Sequence, residues 1–184
     1  MLAAECAWAI LRAEHTRTRE LLARLDTVMT TEDGACSRQR ATSAIRVIER
    51  LQAFEETTHR PKGVVMLNML RGRSGEADEL LHQLGSESEH CSGLLSQAKA
   101  LLKLAEAGDA KAALEAEALL QQHRQFMYVH LDREDTLLHS QTALLLTAEE
   151  WAAVVSSISK EVRAAKEREH RQPRLHRPAS WPAP

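Results

Sequence analysis

The segment Phe126-Met-Tyr-Val-His130-Leu-Asp-Arg-Glu134-Asp-Thr-Leu-Leu138 combines apolar residues with a histidine and a carboxylate four residues apart. On an α-helix, residues four apart lie on one face and one turn from each other. His130 and Glu134 therefore point together, on the side that carries the apolar residues. A buried carboxylate needs a cation or strong hydrogen-bond donors, because leaving it unpaired is costly. The segment predicts either an inward-facing metal-binding pair or an exposed helix face on which the two residues occur by chance.

Composition narrows the fold and the location. The chain has 184 residues, enough for one domain with a real core, and aromatic residues make up only 3%, which favours packed helices over sheets. The 24 basic and 26 acidic residues nearly balance, so we expect no nucleic-acid partner, and no apolar run reaches the length of a membrane span. Cys6, Cys36 and Cys91 are too few and too far apart for a disulfide framework or a thiolate zinc site. We expect a cytoplasmic protein.

Apolar periodicity predicts four long helices and one shorter one, at residues 2–29, 37–70, 76–105, 109–146 and 148–166. Pro61 should bend the second helix, and Thr147-Ala-Glu-Glu150 is a capping box that opens the last one. Long helices with short connections pack as antiparallel neighbours. The prediction is an all-α, up-down four-helix bundle with an additional short C-terminal helix over residues 1–167. Residues 168–184, with four of the five prolines, are predicted to be a flexible, disordered tail.

One histidine falls on the apolar side of each predicted bundle helix, and the four follow a repeated order. Glu-His occurs at His15 and His90, whereas His59 and His130 each begin a nine-residue segment that aligns with the other. Singly, each histidine is explained as a core or boundary residue. Together, inward side chains from facing helices converge on a central site. Imidazole and carboxylate ligands without thiolate suit iron, manganese or zinc rather than calcium.

These motifs resemble those of the hemerythrin-like, or HHE, cation-binding domains, over about residues 3–160. The family has "EH" on the first helix, "HHPKE" on the second, "EH" on the third and "HM..EE..LP" on the fourth. This chain has Arg-Ala-Glu-His at 12–15, Thr-His-Arg-Pro-Lys-Gly at 58–63, Ser-Glu-His at 88–90 and His-Leu-Asp-Arg-Glu-Asp at 130–135. Order and spacing match well, and individual residues match loosely.

The resemblance implies a hemerythrin-like bundle with two non-heme irons held by histidines and two bridging carboxylates. Carried over by position, the expected metal ligands are His15, His59, His90, His130 and Glu134. No catalytic residue is assigned.

Two family positions at the metal site are changed in this chain. Gly63 stands where the second bridging carboxylate is expected, and Arg60 where a second histidine is expected. We therefore expect weaker binding of the second iron and a mononuclear or partly loaded site. Glu55, Glu56 or water could replace the missing carboxylate.

The resemblance favours a binding module that binds or senses dioxygen, nitric oxide or iron itself. One alternative is an iron-dependent enzyme that reduces peroxide or repairs iron–sulfur centres. The other is a degenerate bundle without metal that has a structural or interaction role. A small diatomic ligand is the expected partner, and protein partners and oligomeric state stay open. His123, seven residues before His130, lies about 10 Å along the helix axis, too far to share an ion with it.

Overall fold

The computed structural model describes residues 2–30 and 38–171. Their α-helices are α1 (Leu2–Thr30), α2 (Arg38–Phe54), α3 (Arg60–Leu70), α4 (Gly75–Glu106), α5 (Ala110–Arg133), α6 (His139–Leu145) and α7 (Ala148–Arg171). A first π turn, Glu55–His59, joins α2 to α3, and a second π turn, Glu134–Leu138, joins α5 to α6. Each of these joined pairs is one continuous helical rod, so four rods and α7 follow one another along the chain. The predicted all-α bundle is confirmed.

The four rods pack side by side, each antiparallel to the next. Helix α1 packs against α2, α2 against α4, and α4 against α5, while α7 lies on the side formed by α1 and α3. Within residues 2–30 and 38–171, no helix has both the length and the apolar character that crossing a bilayer requires.

Side-chain hydrogen bonds cap the first turns of α4, α5 and α7. Ser74 accepts a hydrogen bond from the amide of Ala77 at the start of α4, and Asp109 accepts one from Ala112 at the start of α5. The predicted capping box forms in both directions, because the Thr147 amide donates to Glu150 and the Glu150 amide donates to the Thr147 hydroxyl. Each cap supplies a partner for an amide that the helix itself leaves unpaired.

We predicted a simple bend at Pro61 in the second helix, and the structure has a π turn just before this residue. Proline has no amide hydrogen and cannot continue the α-helical hydrogen-bond ladder. The first π turn precedes it directly, and the amide of Arg60 bonds the carbonyl of Glu55, one residue further back than in an α-helix. The second π turn, which has no proline near it, was not predicted.

Helix α7 is longer than predicted, because it runs from Ala148 to Arg171 and passes the expected domain limit at residue 167. Nothing in the sequence stops it earlier, and Pro173 is the first residue past its start that restricts the helix. The rest of the predicted tail, residues 172–184, lies outside the described residues.

Two apolar cores fill the bundle, one at each end. The first core joins the C-terminal parts of α1 and α4 with α2 and α5, and the second joins the N-terminal parts of α1 and α4 with α3, α7 and the second π turn. Buried polar residues lie between the two cores on three of the four rods: His15 lies between Leu11 and Leu22, His59 between Leu51 and Met66, and His130 between Leu120 and Leu138. These polar side chains are therefore buried where the two cores meet.

Candidate metal centre

Both π turns lie where the two apolar cores meet, and both begin with two acidic residues. Glu55 and Glu56 open the first turn, and Glu134 and Asp135 open the second. A π turn adds a residue to a helix and redirects the side chains around it, which is why such turns often occur at functional sites. Here the first turn ends at the buried His59 and the second begins at the buried Glu134.

Three buried side chains from different rods meet at one point. His15, His59 and Glu134 each offer one ligand atom, and these atoms all lie within 4.8 Å of one another. Glu134 Oε2 is 3.0 Å from Nε2 of His15 and 3.6 Å from Nε2 of His59. The other carboxylate oxygen, Oε1, is 3.7 Å from Nε2 of His130. We call these four residues the polar layer, in which three imidazoles surround one carboxylate.

The imidazole of His15 is fixed from behind by a carboxylate. Its Nδ1 is 2.7 Å from Oδ1 of Asp135, and Oδ2 of Asp135 accepts a hydrogen bond from Arg19 at 2.9 Å. A carboxylate can only accept, so Nδ1 carries the hydrogen and the Nε2 lone pair of a neutral ring faces Glu134. The Arg19 guanidinium and His15 hold the pKa of Asp135 below its usual range, although burial acts in the opposite direction.

His59 has the same kind of support from α1. Its Nδ1 is 3.4 Å from Oε2 of Glu14, and Oε1 of Glu14 accepts a hydrogen bond from the Lys62 ammonium. Glu14, His59 and Lys62 are all buried. A buried carboxylate and ammonium stay charged only when they are paired and hydrogen-bonded, which this pair satisfies.

His130 completes the pattern with partners from α4 and α5. Its Nδ1 is 3.3 Å from Oε2 of Glu87, whose other oxygen pairs with Arg133. Each of the three imidazoles therefore has a carboxylate on Nδ1 and a cation behind that carboxylate, while its Nε2 faces Glu134. Carboxylates behind metal-binding histidines fix the ring orientation and increase the basicity of the ligating nitrogen.

Burial and neighbouring charges shift the pKa values of three groups in the polar layer. Burial would lower the pKa of His59, but Glu134 and Glu14 outweigh it and raise that pKa to about 10. Burial would raise the pKa of Glu134, but the imidazoles of His15 and His59 hold it well below its usual range. For His130, burial is the largest influence and lowers the pKa. A cation at this point would take the place of the extra proton that His59 holds beside Glu134.

The atoms also fit a cation geometrically. Oε2 of Glu134 is buried and has no hydrogen-bond partner, although Nε2 of His15 is only 3.0 Å away. When a cation takes the place of protons in the layer, the His15 hydrogen stays on Nδ1, and the Nε2 lone pair of His15 and Oε2 of Glu134 can both bind that cation. The residues present therefore fit a divalent metal.

The structure brings together four of the five predicted ligands and leaves His90 apart. His90 is exposed, and its ring packs edge-on against Phe126 at a centroid distance of 4.7 Å. The buried stripe of α4 runs through Leu84, Cys91 and Leu94, so His90 lies one position off that stripe. Glu87, three residues before His90, reaches the polar layer instead through His130.

The structure also locates the two changed family positions, Gly63 and Arg60, and the candidate replacement Glu55. Gly63 faces a small pocket together with His15, His59 and Glu134, and a Cβ placed there would meet no atom within 4 Å. Arg60 is exposed, whereas Glu55 is half-buried and lines a cavity next to His59 and His130.

Sequence reasoning missed the three carboxylates behind the histidines, Glu14, Glu87 and Asp135. Two of them adjoin predicted ligands, since Glu14 precedes His15 and Asp135 follows Glu134. Neither supports a residue next to it in the sequence, because Glu14 supports His59 and Asp135 supports His15. Only the packing of the rods could show these pairs.

A family model described as "Hemerythrin HHE cation binding domain" matches residues 6–142, which include the whole polar layer. The chain belongs to the hemerythrin HHE family. Comparison with curated proteins gives no significant match. Membership agrees with a cation-binding role, and the buried His15, His59 and Glu134 form a candidate site for the ion. The ligand assignments themselves stay predictions.

Proposed function

We propose that this hemerythrin-family chain binds non-heme iron in the polar layer and uses it to bind a small ligand such as dioxygen or nitric oxide. The metal ligands are His15, His59, His130 and Glu134. The observation that carries the proposal is the convergence of three Nε2 atoms, from three rods, on one buried carboxylate. Imidazole with carboxylate is a ligand set that suits iron.

We further propose that the layer holds one divalent ion rather than two. Each carboxylate behind a histidine is already neutralised by Arg19, Lys62 or Arg133. With neutral imidazoles, Glu134 alone then provides negative charge for the metal. Two divalent ions about 3.5 Å apart repel by roughly 20 kcal/mol at an effective dielectric constant of 20, and one bridging carboxylate would have to offset what two usually share.

Four protein ligands leave coordination positions of iron free for an exogenous ligand. When bound, iron supplies the redox-active centre to which a diatomic molecule can coordinate. The protein supplies the orientation of the imidazoles through Asp135, Glu14 and Glu87, and it excludes bulk water with the apolar cores on both sides.

Metal content per chain tests the ligand set. We expect purified wild-type protein to bind about one iron and the variants His130→Ala and Glu134→Gln to lose it. His90→Ala is the matched control, because His90 is a predicted ligand by family resemblance but lies outside the polar layer. Loss of iron in His90→Ala, or full retention in Glu134→Gln, would contradict the proposed ligands.

Ligand binding is tested separately on protein that is shown to contain iron. We expect the ultraviolet–visible spectrum of the ferrous protein to change on addition of dioxygen or nitric oxide, and the change to scale with iron content across preparations. Iron-loaded protein with an unchanged spectrum for both gases would leave metal binding in place and remove the sensing function.

A further inference from the structure

A cavity of about 50 Å³ adjoins the polar layer between the first π turn and α4. Glu56 and Ser92 on its wall are exposed, whereas His59 and His130, also on its wall, are buried. The cavity therefore reaches from the protein surface to two proposed metal ligands. A water molecule needs roughly 10–15 Å³, so this space can admit an ion that keeps part of its hydration shell.

Solvent reaches the imidazoles of the polar layer mainly from the side of this cavity. His130 lines the cavity, and its side chain is 9% exposed. His15 lines the small pocket that Gly63 faces, and its side chain is 2% exposed. His59 lines both spaces, and its side chain is 10% exposed. The cavity is thus the more open of the two approaches to the layer.

The two spaces offer a cation different walls. Apart from Gly63 and residues of the polar layer, the small pocket is lined by apolar and aromatic side chains, which are Trp8, Leu11, Met66, Leu67 and Leu138. A divalent cation there would lose water without gaining oxygen ligands, which is costly. The cavity wall instead includes the hydroxyls of Ser88 and Ser92 and the carboxylate of Glu55. Of the two approaches, the cavity is the one that suits a cation.

Glu55 differs from the carboxylates that support the histidines. Glu14, Glu87 and Asp135 each have a lysine or arginine partner. Glu55 is half-buried and makes no hydrogen bond or ion pair with another described residue. Burial lowers the pKa of His130 and the charge of Glu55 acts against this, so its carboxylate is close enough to affect that imidazole. An unneutralised carboxylate on the cavity wall attracts a cation toward the layer.

We propose that the metal ion enters the polar layer through this cavity and that the carboxylate of Glu55 attracts it there. The proposal rests on metal binding by the polar layer, and it adds the route and a residue that favours cations. Glu55 acts before the ion is bound and leaves the four proposed ligands unchanged. Arg60 also lines the cavity, but it is exposed, where water and salt screen its positive charge more strongly.

The kinetics of cobalt(II) binding to the chelator-treated full chain test the route. Cobalt(II) has the charge of ferrous iron and accepts imidazole and carboxylate ligands, and its visible absorption in a protein site can be followed by stopped flow. Ser92→Phe places a bulky side chain on the cavity wall. We expect it to slow association and dissociation several-fold by the same factor, because an obstructed route affects both directions equally. The dissociation constant should stay unchanged.

Leu67→Phe is the matched control for the route. Leu67 is half-buried and lines the small pocket on the Gly63 side of the layer. If the ion enters through the cavity, a larger side chain at this position should leave both rates of the wild type unchanged.

Charge variants test the role of Glu55. Glu55→Gln removes the charge at nearly constant volume, so we expect association to slow about fivefold at low salt, with a smaller difference at high salt. Arg60→Gln removes the positive charge from the same wall and should change the rate in the opposite direction, by a smaller factor. Glu49→Gln is the control, because Glu49 is exposed on α2 and pairs with Lys99. It should match the wild type.

The possible results separate the route from the proposed function. Wild-type rates in Ser92→Phe, or slower rates in Leu67→Phe, would overturn the route. Equal association rates in wild type and Glu55→Gln, or a loss of rate that does not depend on salt, would overturn the role of Glu55. Each of these results requires that metal binds. A wild-type protein that binds neither cobalt(II) nor ferrous iron would instead overturn the proposed function, and the route with it.

Discussion

The rod α2–α3 and the rod α5–α6 are built alike but contribute differently to the polar layer. Each is interrupted by a five-residue π turn that begins with two acidic residues. In the second turn, Glu134 enters the layer and Asp135 bonds His15. In the first turn, Glu55 lines the neighbouring cavity and Glu56 is exposed, while His59 at the end of the turn enters the layer.

The difference shows that the histidine repeat and the π turns are out of register. His59 closes its turn, whereas His130 lies four residues before its turn begins. Aligning the histidines pairs Gly63 with Glu134, but aligning the turns pairs Glu55 with Glu134. One rod thus gives the layer an imidazole alone, and the other gives it an imidazole and a carboxylate. The asymmetry supports our proposal that the layer binds a single ion.

The largest expected effect comes from supplying the first rod with a carboxylate. Gly63→Glu adds a side chain where a Cβ meets no atom within 4 Å and where the backbone faces His15, His59 and Glu134. A second carboxylate would offset the charge of a second ion, so we expect iron content to rise from about one to about two per chain, measured by elemental analysis.

Gly63→Gln is the control for this change. Replacing glycine inside a helix with either residue favours the helix by roughly 0.5–1 kcal/mol, but only glutamate adds charge. An equal iron content in both variants would show that Gly63 does not face the metal as we infer.

The sequence indicated much of this site, and the failures have identifiable causes. His15, His59 and His130 follow the apolar periodicity of their helices, so their convergence could be predicted. His90 also lies near the apolar stripe of α4, but periodicity could not choose between it and Cys91, and Cys91 is the buried residue. No residue preference signals a π turn, and the pairs Glu14–His59 and Glu87–His130 depend on how separate rods pack.

The ion pairs behind His59 and His130 differ in how deeply they are buried. Lys62 and Glu14 pair with side chains only 7% and 8% exposed, whereas Arg133 and Glu87 are 31% and 17% exposed. Lys62→Met leaves the buried carboxylate of Glu14 with only the longer contact to His59, so we expect it to destabilise the fold by about 3 kcal/mol in denaturant unfolding. Arg133→Met should cost about 1 kcal/mol or less, because water still reaches Glu87.

A double variant separates loss of pairing from loss of packing. Adding Glu14→Gln to Lys62→Met removes the buried negative charge that lost its ammonium partner and should restore much of the lost stability. Similar costs for Lys62→Met and Arg133→Met would show that the two ion pairs are equivalent.

The histidines of the two rods should also differ in their effect on stability as pH changes. His59 has a pKa raised to about 10, whereas burial lowers the pKa of His130. A raised pKa means that the folded state holds the proton more tightly than the unfolded state. The contribution of His59 is therefore complete below pH 6.5 and is lost as the pH rises toward 10.

Thermal unfolding in the presence of a chelator measures this contribution. We expect the free energy of unfolding of wild type to fall by a few kcal/mol across that pH range, and His59→Gln to show a shallower fall. His130→Gln should leave the slope of wild type nearly unchanged. If His59→Gln keeps the full slope, other groups carry the pH dependence.

The smallest effect compares the second acidic residue of each π turn. Asp135 bonds Nδ1 of His15, so Asp135→Asn weakens the acceptor that orients this ring and leaves Arg19 without its carboxylate. Losing such a partner typically costs 10–100-fold in metal affinity, and we expect about that decrease in competition titrations with a chelator of known affinity. Glu56→Gln alters the equivalent position of the first turn, where the side chain is exposed, and should leave the affinity unchanged. Equal decreases in both variants would mean that the negative charge of the π turns acts at a distance. A decrease confined to Asp135→Asn would show that the hydrogen bond to His15 is what distinguishes the second turn.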